Sequence, residues 1–198
     1  MNKIGILGGT FNPIHLGHLA MAKAALMKLK LNAVIFVPSC LPPHKSVEDV
    51  IDAKKRLAMV KLVVKGNSKF RISRFEIKKG GRSYSINTVK YLRSVYGSKT
   101  KFYFIIGQDS FTTLGSWKNI PQLLKLVTFV VVNRPGVRKI KVTDTFYDFK
   151  NVSVTFITSP ALDISSSYIR AAIAKGKSVK YLLPESVFQY IEKKRLYR

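Results

Sequence analysis

Residues 3–18 of the chain have the sequence KIGILGGTFNPIHLGH. The apolar run at its start predicts a short buried strand, and we expect Gly8 and Gly9 to end that strand. From Leu16 to Leu29 the apolar residues recur at helical spacing and fill one broad face. The stretch therefore predicts a strand, a glycine turn and a helix.

This predicted turn has the features of an anion site. Gly8 and Gly9 lack Cβ atoms, so a phosphate could approach the backbone closely, and the free N–H groups and dipole of a helix start favour an anion. His15 and His18 are three residues apart at that helix start and so share one face. Two alternatives stay open from the residues alone. The glycines could form an ordinary tight turn, and the histidines could bind a metal or lie on a polar surface.

The glycine pattern excludes two common phosphate-binding motifs. No Gly-Lys-Ser/Thr follows the glycines, as the Walker motif requires, and no third glycine is in register for the dinucleotide fingerprint. The run from Gly8 to His18 instead resembles the signature of the nucleotidylyltransferase superfamily. In that superfamily a T/H-x-G-H element binds the triphosphate of ATP or CTP.

Length and charge restrict the class of protein. The 198 residues predict a single domain, residues 1–198. Lys and Arg number 35 against 10 Asp and Glu, a formal net charge of +25, which predicts non-specific affinity for polyanions. A nucleic-acid-binding protein is therefore a competing hypothesis. Because the basic residues are dispersed and no familiar nucleic-acid motif is present, we expect a solvated coat that attracts anionic substrates, and no specific nucleic-acid partner.

Apolar runs and cysteine usage indicate the compartment. No apolar run approaches the roughly 20 residues of a membrane span, so we expect no membrane partner. Cys40 is the only cysteine, which excludes an internal disulfide and suits a reducing cytoplasm. We expect it to be a small apolar filler, with a reactive thiol as the alternative.

The rest of the chain alternates strand and helix patterns, which predicts an α/β, Rossmann-like doubly wound parallel sheet with a small C-terminal helical segment. Ser85 is the expected N-cap of its helix, and residues 137–151 are polar and irregular. The expected strands are 33–38, 101–106, 129–132 and 152–157, with an extended segment at 70–77. The expected helices are 53–64, 86–95, 163–175 and 185–194.

Two further stretches carry candidate site residues. Ser166, Ser167 and Arg170 lie on one face of a predicted helix start, where hydroxyls, free N–H groups and a guanidinium suit an anion. Simple capping by the serines is the alternative. Trp117 follows a Gly-Gln-Asp turn in a polar context, so a stacking platform is at least as well supported as a core or interface position.

Taken in order, the motifs resemble those of the bacterial nicotinate-nucleotide adenylyltransferases over nearly the whole chain. The sequence departs from the family at Asn12, where Asp is common, and at Lys118, where Tyr is common. It also has Ser85 and Ser167 where Thr is usual. The motifs are GGTFNPIHLGH (8–18), PPHK (42–45), SYS (83–85), IIGQD (105–109), Trp117, NRPG (133–136) and ISSSYIR (164–170).

The resemblance implies three groups of site residues. The catalytic residues are His15 and His18. The ATP-binding residues are Gly8, Gly9, Thr10, Phe11, Lys45, Gly107, Asp109, Ile164, Ser165, Ser166, Ser167 and Arg170. The residues that bind the nicotinate nucleotide are Asn12, Ser83, Tyr84, Ser85, Trp117, Lys118 and Arg134.

The resemblance also implies the reaction. ATP and nicotinate mononucleotide would give nicotinate adenine dinucleotide and pyrophosphate in NAD biosynthesis. Mg²⁺ would arrive with ATP, because no acidic cluster in the sequence could form a protein-only metal site. We expect a cytoplasmic monomer or homodimer. Sibling transferases that act on pantetheine phosphate or glycerol phosphate share only the two nucleotide signatures, so SYS, Trp117 and NRPG count against them.

Overall fold

The computed structural model describes residues 1–43, 48, 50–133, 152–160 and 162–198. Its centre is a six-stranded sheet in which every strand is parallel to its neighbours, in the order β3-β2-β1-β4-β5-β6. This order confirms the predicted doubly wound sheet. The strands are β1 (Lys3–Gly9), β2 (Ala33–Pro38), β3 (Phe70–Ile72), β4 (Lys101–Gly107), β5 (Thr128–Asn133) and β6 (Val154–Thr158).

Eight α-helices and two short 3₁₀ turns are present in the described parts of the chain. The 3₁₀ turns are Leu114–Ser116 and Lys180–Leu182. The helices are α1 (Leu16–Lys28), α2 (Ala53–Lys65), α3 (Phe75–Lys79), α4 (Ser85–Tyr96), α5 (Gln108–Thr112), α6 (Ile120–Leu126), α7 (Ser166–Ala174) and α8 (Glu185–Lys193).

The sheet separates two apolar cores. One core takes its helical residues from α1, α2, α7 and α8, and the other from α4, α5 and α6. Every residue of β2 is buried, as expected for a parallel strand covered on both faces. No helix among the described residues is long and apolar enough to cross a membrane.

The glycine pair at residues 8 and 9 belongs to the first strand. Gly8 and Gly9 do not form the turn after β1 but are the last two residues of the strand, paired with Val37 and Pro38 of β2. The turn follows them at residues 10–15, and Phe11, not a glycine, has the left-handed backbone there, with φ of 50°. A glycine without a positive φ is compatible with an extended strand, so the sequence pattern placed the break two residues too early.

Residues 70–77 are not one extended segment, as the sequence predicted. Only Phe70–Ile72 is a strand, and Phe75–Lys79 is the short helix α3. The Ser73 hydroxyl accepts a hydrogen bond from the Phe75 N–H at 3.4 Å, and the Phe75 ring stacks on Tyr91 of α4 at 4.2 Å. A short apolar run is compatible with either a strand or a helix. Here the segment is helical, and Phe75 packs on α4.

Smaller differences lie at helix ends and between β4 and β5. Ser85 is the first residue of α4, and the N-cap is Tyr84. Helices α5 and α6 were not expected from the sequence. The irregular segment expected at residues 137–151 lies outside the described residues.

The contact made by Gly5 in β1 gives a test of the fold. A Cβ atom at Gly5 would lie 2.9 Å from the Cδ1 atoms of Ile105 and Leu31, both buried. We expect Gly5→Ala to lower the free energy of unfolding by about 1–3 kcal/mol through overpacking, as measured by urea unfolding. The matched control is Gly8→Ala on the same strand, where the nearest atom would be 3.7 Å away. The control should change stability by less than about 0.5 kcal/mol, and equal losses in the two variants would contradict this packing argument.

Candidate active site

The candidate site lies where the strand order reverses. β1 and β4 are neighbours, and the chain leaves them in opposite directions across the sheet, toward β2 and β5. Ligands of doubly wound sheets bind at this switch point, outside the carboxyl ends of the strands. Gly9 and Gly107 are the last residues of β1 and β4. The turn of residues 10–15 therefore stands at the expected ligand edge.

The two histidines are adjacent at the start of α1. His15 is the N-cap residue and is 6% exposed, and His18 occupies the first helical turn. Their ring centroids are 3.8 Å apart. The His15 backbone N–H donates to His18 Nδ1 at 3.3 Å. Because Nδ1 accepts this bond, the neutral ring of His18 has its proton on Nε2 and can donate from that atom.

The surroundings of His18 keep its imidazole neutral. Burial lowers the pKa of His18 well below its ordinary value of 6.5, and the neighbouring charge of His15 lowers it further. The ring also packs edge-on against Phe11, with centroids 5.0 Å apart. At neutral pH His18 is therefore a hydrogen-bond donor without a positive charge.

Gly17 is required by the histidine arrangement. A Cβ atom at this position would lie 3.0 Å from Nδ1 and 3.1 Å from Cε1 of His15. Its other near neighbour would be the carbonyl oxygen of Ile164, at 3.7 Å. The glycine of the sequence motif therefore leaves room for the His15 ring and for the segment before α7.

The start of α7 docks on the turn that precedes the histidines. Arg170 Nη1 donates to the Asn12 carbonyl oxygen at 3.0 Å, and the Ser166 hydroxyl donates to the Pro13 carbonyl oxygen at 2.9 Å. Arg170 Nη2 also donates to the Ser167 hydroxyl at 3.4 Å. The structure thus brings together the two segments that the sequence suggested for an anion. Ser165 is the N-cap and accepts from a backbone N–H, which matches the capping alternative for this serine.

The side chain of Asn12 faces the protein interior. It is 1% exposed, and its Oδ1 accepts a hydrogen bond from the Tyr197 hydroxyl at 3.0 Å. Burial raises the pKa of Tyr197, so the phenol remains a donor. Tyr197 was not among the residues suggested by the sequence, and this burial does not favour direct contact between the Asn12 side chain and a nucleotide.

Several residues suggested for the acceptor meet beside the core that includes α4, α5 and α6, called the second core below. Tyr84 and Trp117 both pack against that core, and the Lys118 ammonium lies 4.4 Å from the centre of the Tyr84 ring. Trp117 meets the rings of Phe104 and Phe129 edge-on, at 5.8 and 6.4 Å. Trp117 is therefore partly buried at the edge of this region. Its contacts with Phe104 and Phe129 are those of the core position that was the alternative to a stacking platform.

The segment that contains Ser83 is fixed to the loop after β2. The Ser83 hydroxyl accepts from the Cys40 N–H, and the Ser83 N–H donates to the Leu41 carbonyl oxygen, both at 2.9 Å. Beneath this segment, Glu76 of α3 accepts a short hydrogen bond from the Thr88 hydroxyl of α4. Burial raises the pKa of Glu76, a residue that no sequence motif indicated.

Arg56 was also not among the residues suggested by the sequence. This arginine of α2 is 1% exposed and donates to carbonyl oxygens of the turn after β1 and of the loop after β2. A signal was present, because Arg56 lies three and four residues before Met59 and Val60 and shares their buried face. An arginine on the apolar face of a predicted helix indicates a partner in the interior.

Of the remaining suggested residues, some lie in the described parts of the chain and others do not. Gly8 and Asp109 are exposed, and Asp109 is the second residue of α5. Ile164 is 7% exposed. Two suggested residues, Lys45 and Arg134, lie outside the described residues. The same holds for His44 of the PPHK motif and for Pro135 and Gly136 of the NRPG motif.

Comparison with known proteins identifies relatives over the full length. The family model described as cytidylyltransferase-like matches residues 6–172. A protein of Thermoanaerobacter sp. (strain X514), named as a probable nicotinate-nucleotide adenylyltransferase, is 43% identical over 199 residues, which cover 99% of this chain and 94% of the relative. A protein of Clostridium tetani with the same name is 40% identical over 205 residues, with 100% of both chains covered.

The fold is also similar to that of solved structures. The Plasmodium falciparum nicotinic acid mononucleotide adenylyltransferase complexed with NaAD has a TM-score of 0.81 and 21% identity, covering 100% of this chain and 98% of that chain. Its complex with APC has a TM-score of 0.75 and 20% identity, covering 100% and 98%. These likenesses place the sheet and helices in the nucleotidylyltransferase type of Rossmann-like fold.

The lowered pKa of His18 predicts a pH dependence of stability. Below pH 6.5 the unfolded chain binds a proton at His18 that the folded protein does not bind. The free energy of unfolding therefore decreases as the pH falls from 6.5 toward the lowered pKa, by at most about 1.4 kcal/mol per pH unit for this one group. Urea unfolding between pH 5 and 8 should show a shallower acid loss in His18→Gln, with a constant difference above pH 7. Parallel curves for the two proteins would contradict the lowered pKa.

Proposed function

The chain belongs to the nicotinate-nucleotide adenylyltransferase family, and on this premise we propose that it transfers the adenylyl group of ATP to nicotinate mononucleotide. The products are nicotinate adenine dinucleotide and pyrophosphate, and the reaction belongs to NAD biosynthesis. The protein is thus an enzyme, a nucleotidyltransferase. The observation that carries the assignment to this site is the docking of the α7 start onto the turn before His15, at the switch point of the sheet.

The chemistry needs no general base from the protein. A phosphate oxygen of nicotinate mononucleotide attacks the α-phosphorus of ATP and forms a new P–O bond. The bond from the α-phosphorus to the oxygen that bridges it to the β-phosphorus breaks, and pyrophosphate leaves. The second pKa of a phosphate monoester is about 6, so the attacking group is already largely ionised at pH 7. The protein therefore acts by holding the reacting atoms in line and by stabilising the charge on the leaving group.

We assign His18 to the α-phosphate and the leaving pyrophosphate. Its support is the Nε2–H donor that follows from the bond between the His15 N–H and His18 Nδ1. A neutral donor needs no change of protonation during transfer, which suits a preorganised charge-stabilising group. His15, whose ring lies 3.8 Å away at an interplanar angle of 35°, is the second phosphate donor in this proposal.

The other ATP contacts follow from position at the strand ends and the start of α7. Arg170 and Lys45 supply positive charge for the β- and γ-phosphates. Gly107 and Asp109 are assigned to ribose, after β4. The backbone around the turn and the serine-rich helix start complete the nucleotide-binding set, which is Gly8, Gly9, Thr10, Phe11, Ile164, Ser165, Ser166 and Ser167.

The acceptor is assigned to the region beside the second core. We propose that the pyridine ring stacks on Trp117 and that backbone N–H groups near Ser85 and Lys118 bind its carboxylate. The support is the grouping of Tyr84, Trp117 and Lys118. Ser83 and Arg134 complete this set, and the buried Asn12 would act indirectly, by holding the turn through its bonds to Tyr197 and Arg170.

Mg²⁺ enters in this proposal with ATP, as a complex of the phosphates. The ion is commonly bound through substrate phosphates and retained waters, with few protein ligands. Among the described residues no group of three or more His, Cys, Asp or Glu side chains could hold a metal ion. The single cysteine of the chain agrees with a cytoplasmic reaction.

The direct test measures pyrophosphate release from ATP and Mg²⁺ with nicotinate mononucleotide, and with pantetheine phosphate and glycerol phosphate as rival acceptors. In this assay we expect His18→Ala to lower kcat by roughly 10²–10³, the scale for removing one preorganised donor. The affinity for ATP should change much less, and circular dichroism should show the wild-type fold. Near-normal turnover in the variant would remove His18 from this role.

A second prediction concerns the acceptor ring. Trp117→Ala should lower kcat/KM for nicotinate mononucleotide and for nicotinamide mononucleotide equally, by up to about tenfold, because stacking does not distinguish acid from amide. Tyr181→Ala is the matched aromatic control, since Tyr181 is 88% exposed and should leave both values unchanged. Unchanged acceptor kinetics in Trp117→Ala would exclude the stacking platform.

A further inference from the structure

Arg56 is a buried charge whose described partners are all backbone carbonyls. Its Nη1 donates to the carbonyl oxygens of Thr10 and Ser39, both at 2.7 Å, and its Nη2 donates to that of Cys40 at 2.6 Å. Its Nε donates to Ile51 at 3.0 Å. The guanidinium fork thus joins two backbone segments that enter the site edge from different strands.

These segments are the ones on which the active site is built. Thr10 begins the turn that leads from β1 to the histidines, and Ser39 and Cys40 follow β2 directly. The link extends further, because the Cys40 N–H donates to the Ser83 hydroxyl. Arg56 therefore connects the nucleotide side of the site with the segment assigned to the acceptor.

The electrostatics of Arg56 differ from those of an ordinary buried ion pair. No ion pair of Arg56 is found in the described part of the chain. Asp52, the N-cap residue of α2, accepts from the N–H groups of Lys54 and Lys55. Burial lowers the pKa of the Arg56 guanidinium from its ordinary value. An apolar residue of similar volume would fill this space without the cost of desolvating a charge.

What an apolar residue could not do is fix the separation of several carbonyl groups. A guanidinium is planar, and its five N–H donors have fixed directions, so bonds to Thr10, Ser39 and Cys40 constrain the relative positions of the two loops. In-line transfer requires that kind of constraint, because a displacement of about 1 Å can reduce the rate by about 10²-fold.

We propose that Arg56 is a positioning residue for adenylyl transfer. It holds the turn of residues 10–15, the loop of residues 39–41 and the segment of residues 82–85 at the separation at which the acceptor phosphate meets the α-phosphorus of ATP. This inference rests on the proposed function. Arg56 itself touches no reacting atom and acts through the backbone that it binds.

The test compares Arg56→Lys and Arg56→Gln with the control Val60→Ala. Lysine keeps the charge and loses the fork, and glutamine keeps a planar amide and loses the charge. Val60 is fully buried on the same helix, one turn further along, so its truncation weakens the packing of α2 and leaves the loop carbonyls bonded to Arg56. In the pyrophosphate assay we expect kcat to fall by about 10- to 100-fold in both Arg56 variants. KM for ATP should change little, and Val60→Ala should retain the wild-type kcat.

A second readout uses the free protein and does not depend on its activity. Amide hydrogen exchange of Ser39, Cys40 and Ser83, whose N–H groups are hydrogen-bonded at these loops, should be faster in both Arg56 variants and unchanged in Val60→Ala. Wild-type kcat in Arg56→Lys and Arg56→Gln, an equal loss in Val60→Ala, or unchanged exchange would overturn the proposal.

Two other outcomes have distinct meanings. If both Arg56 variants fail to fold at 25 °C, the residue serves folding and the positioning role is rejected. If the wild-type protein does not transfer adenylate to nicotinate mononucleotide, the proposed function fails. The exchange experiment then still decides whether Arg56 fixes the two loops.

Discussion

The candidate active site depends on which groups donate hydrogen bonds to the carbonyl oxygens of one turn. Residues 10–13 leave β1 before helix α1 begins, and Phe11 holds a left-handed backbone there. The carbonyls of Thr10, Asn12 and Pro13 accept hydrogen bonds from the side chains of Arg56, Arg170 and Ser166. Buried carbonyls require partners, and here the partners come from α2 and α7. The turn is therefore held from outside, and the histidines that follow it inherit a defined position.

The same turn explains the electrostatic character of the site. The chain carries a net charge of +25, yet the histidine assigned to the α-phosphate is neutral, since burial and His15 lower the pKa of His18. In the proposed reaction the positive charge comes instead from Arg170, which donates to the Asn12 carbonyl oxygen of the turn and to the Ser167 hydroxyl. If these assignments hold, the long-range attraction of anionic substrates is separate from the local donor that stabilises the transferring phosphate.

The residues assigned to the nucleotide and those assigned to the acceptor are associated with different cores of the doubly wound sheet. The turn, α1, α2 and α7 belong to one core, and Tyr84 and Trp117 pack against the other. Nucleotide and acceptor would thus approach the switch point from opposite sides of the β1–β4 pair. The loop after β2 crosses between these regions, bonded to Arg56 on one side and to Ser83 on the other.

Local patterns in the sequence were sufficient for most of the fold, and they suggested the histidines and the serine-rich helix start as anion sites. The strand, turn and helix at residues 3–29 follow from hydrophobic periodicity, which depends on near neighbours in the chain. The pairing of the α7 start with the turn was suggested by an anion-binding pattern that appears twice. Residues 70–77 were assigned wrongly because a short apolar run fits either a strand or a helix until its packing on α4 is known. Only the tertiary structure placed Arg56 against Thr10, 46 residues away, and Tyr197 against Asn12, 185 residues away. Such bonds have no periodic signature, because which carbonyl a buried donor reaches is decided by how the helices pack, not by the residues beside it.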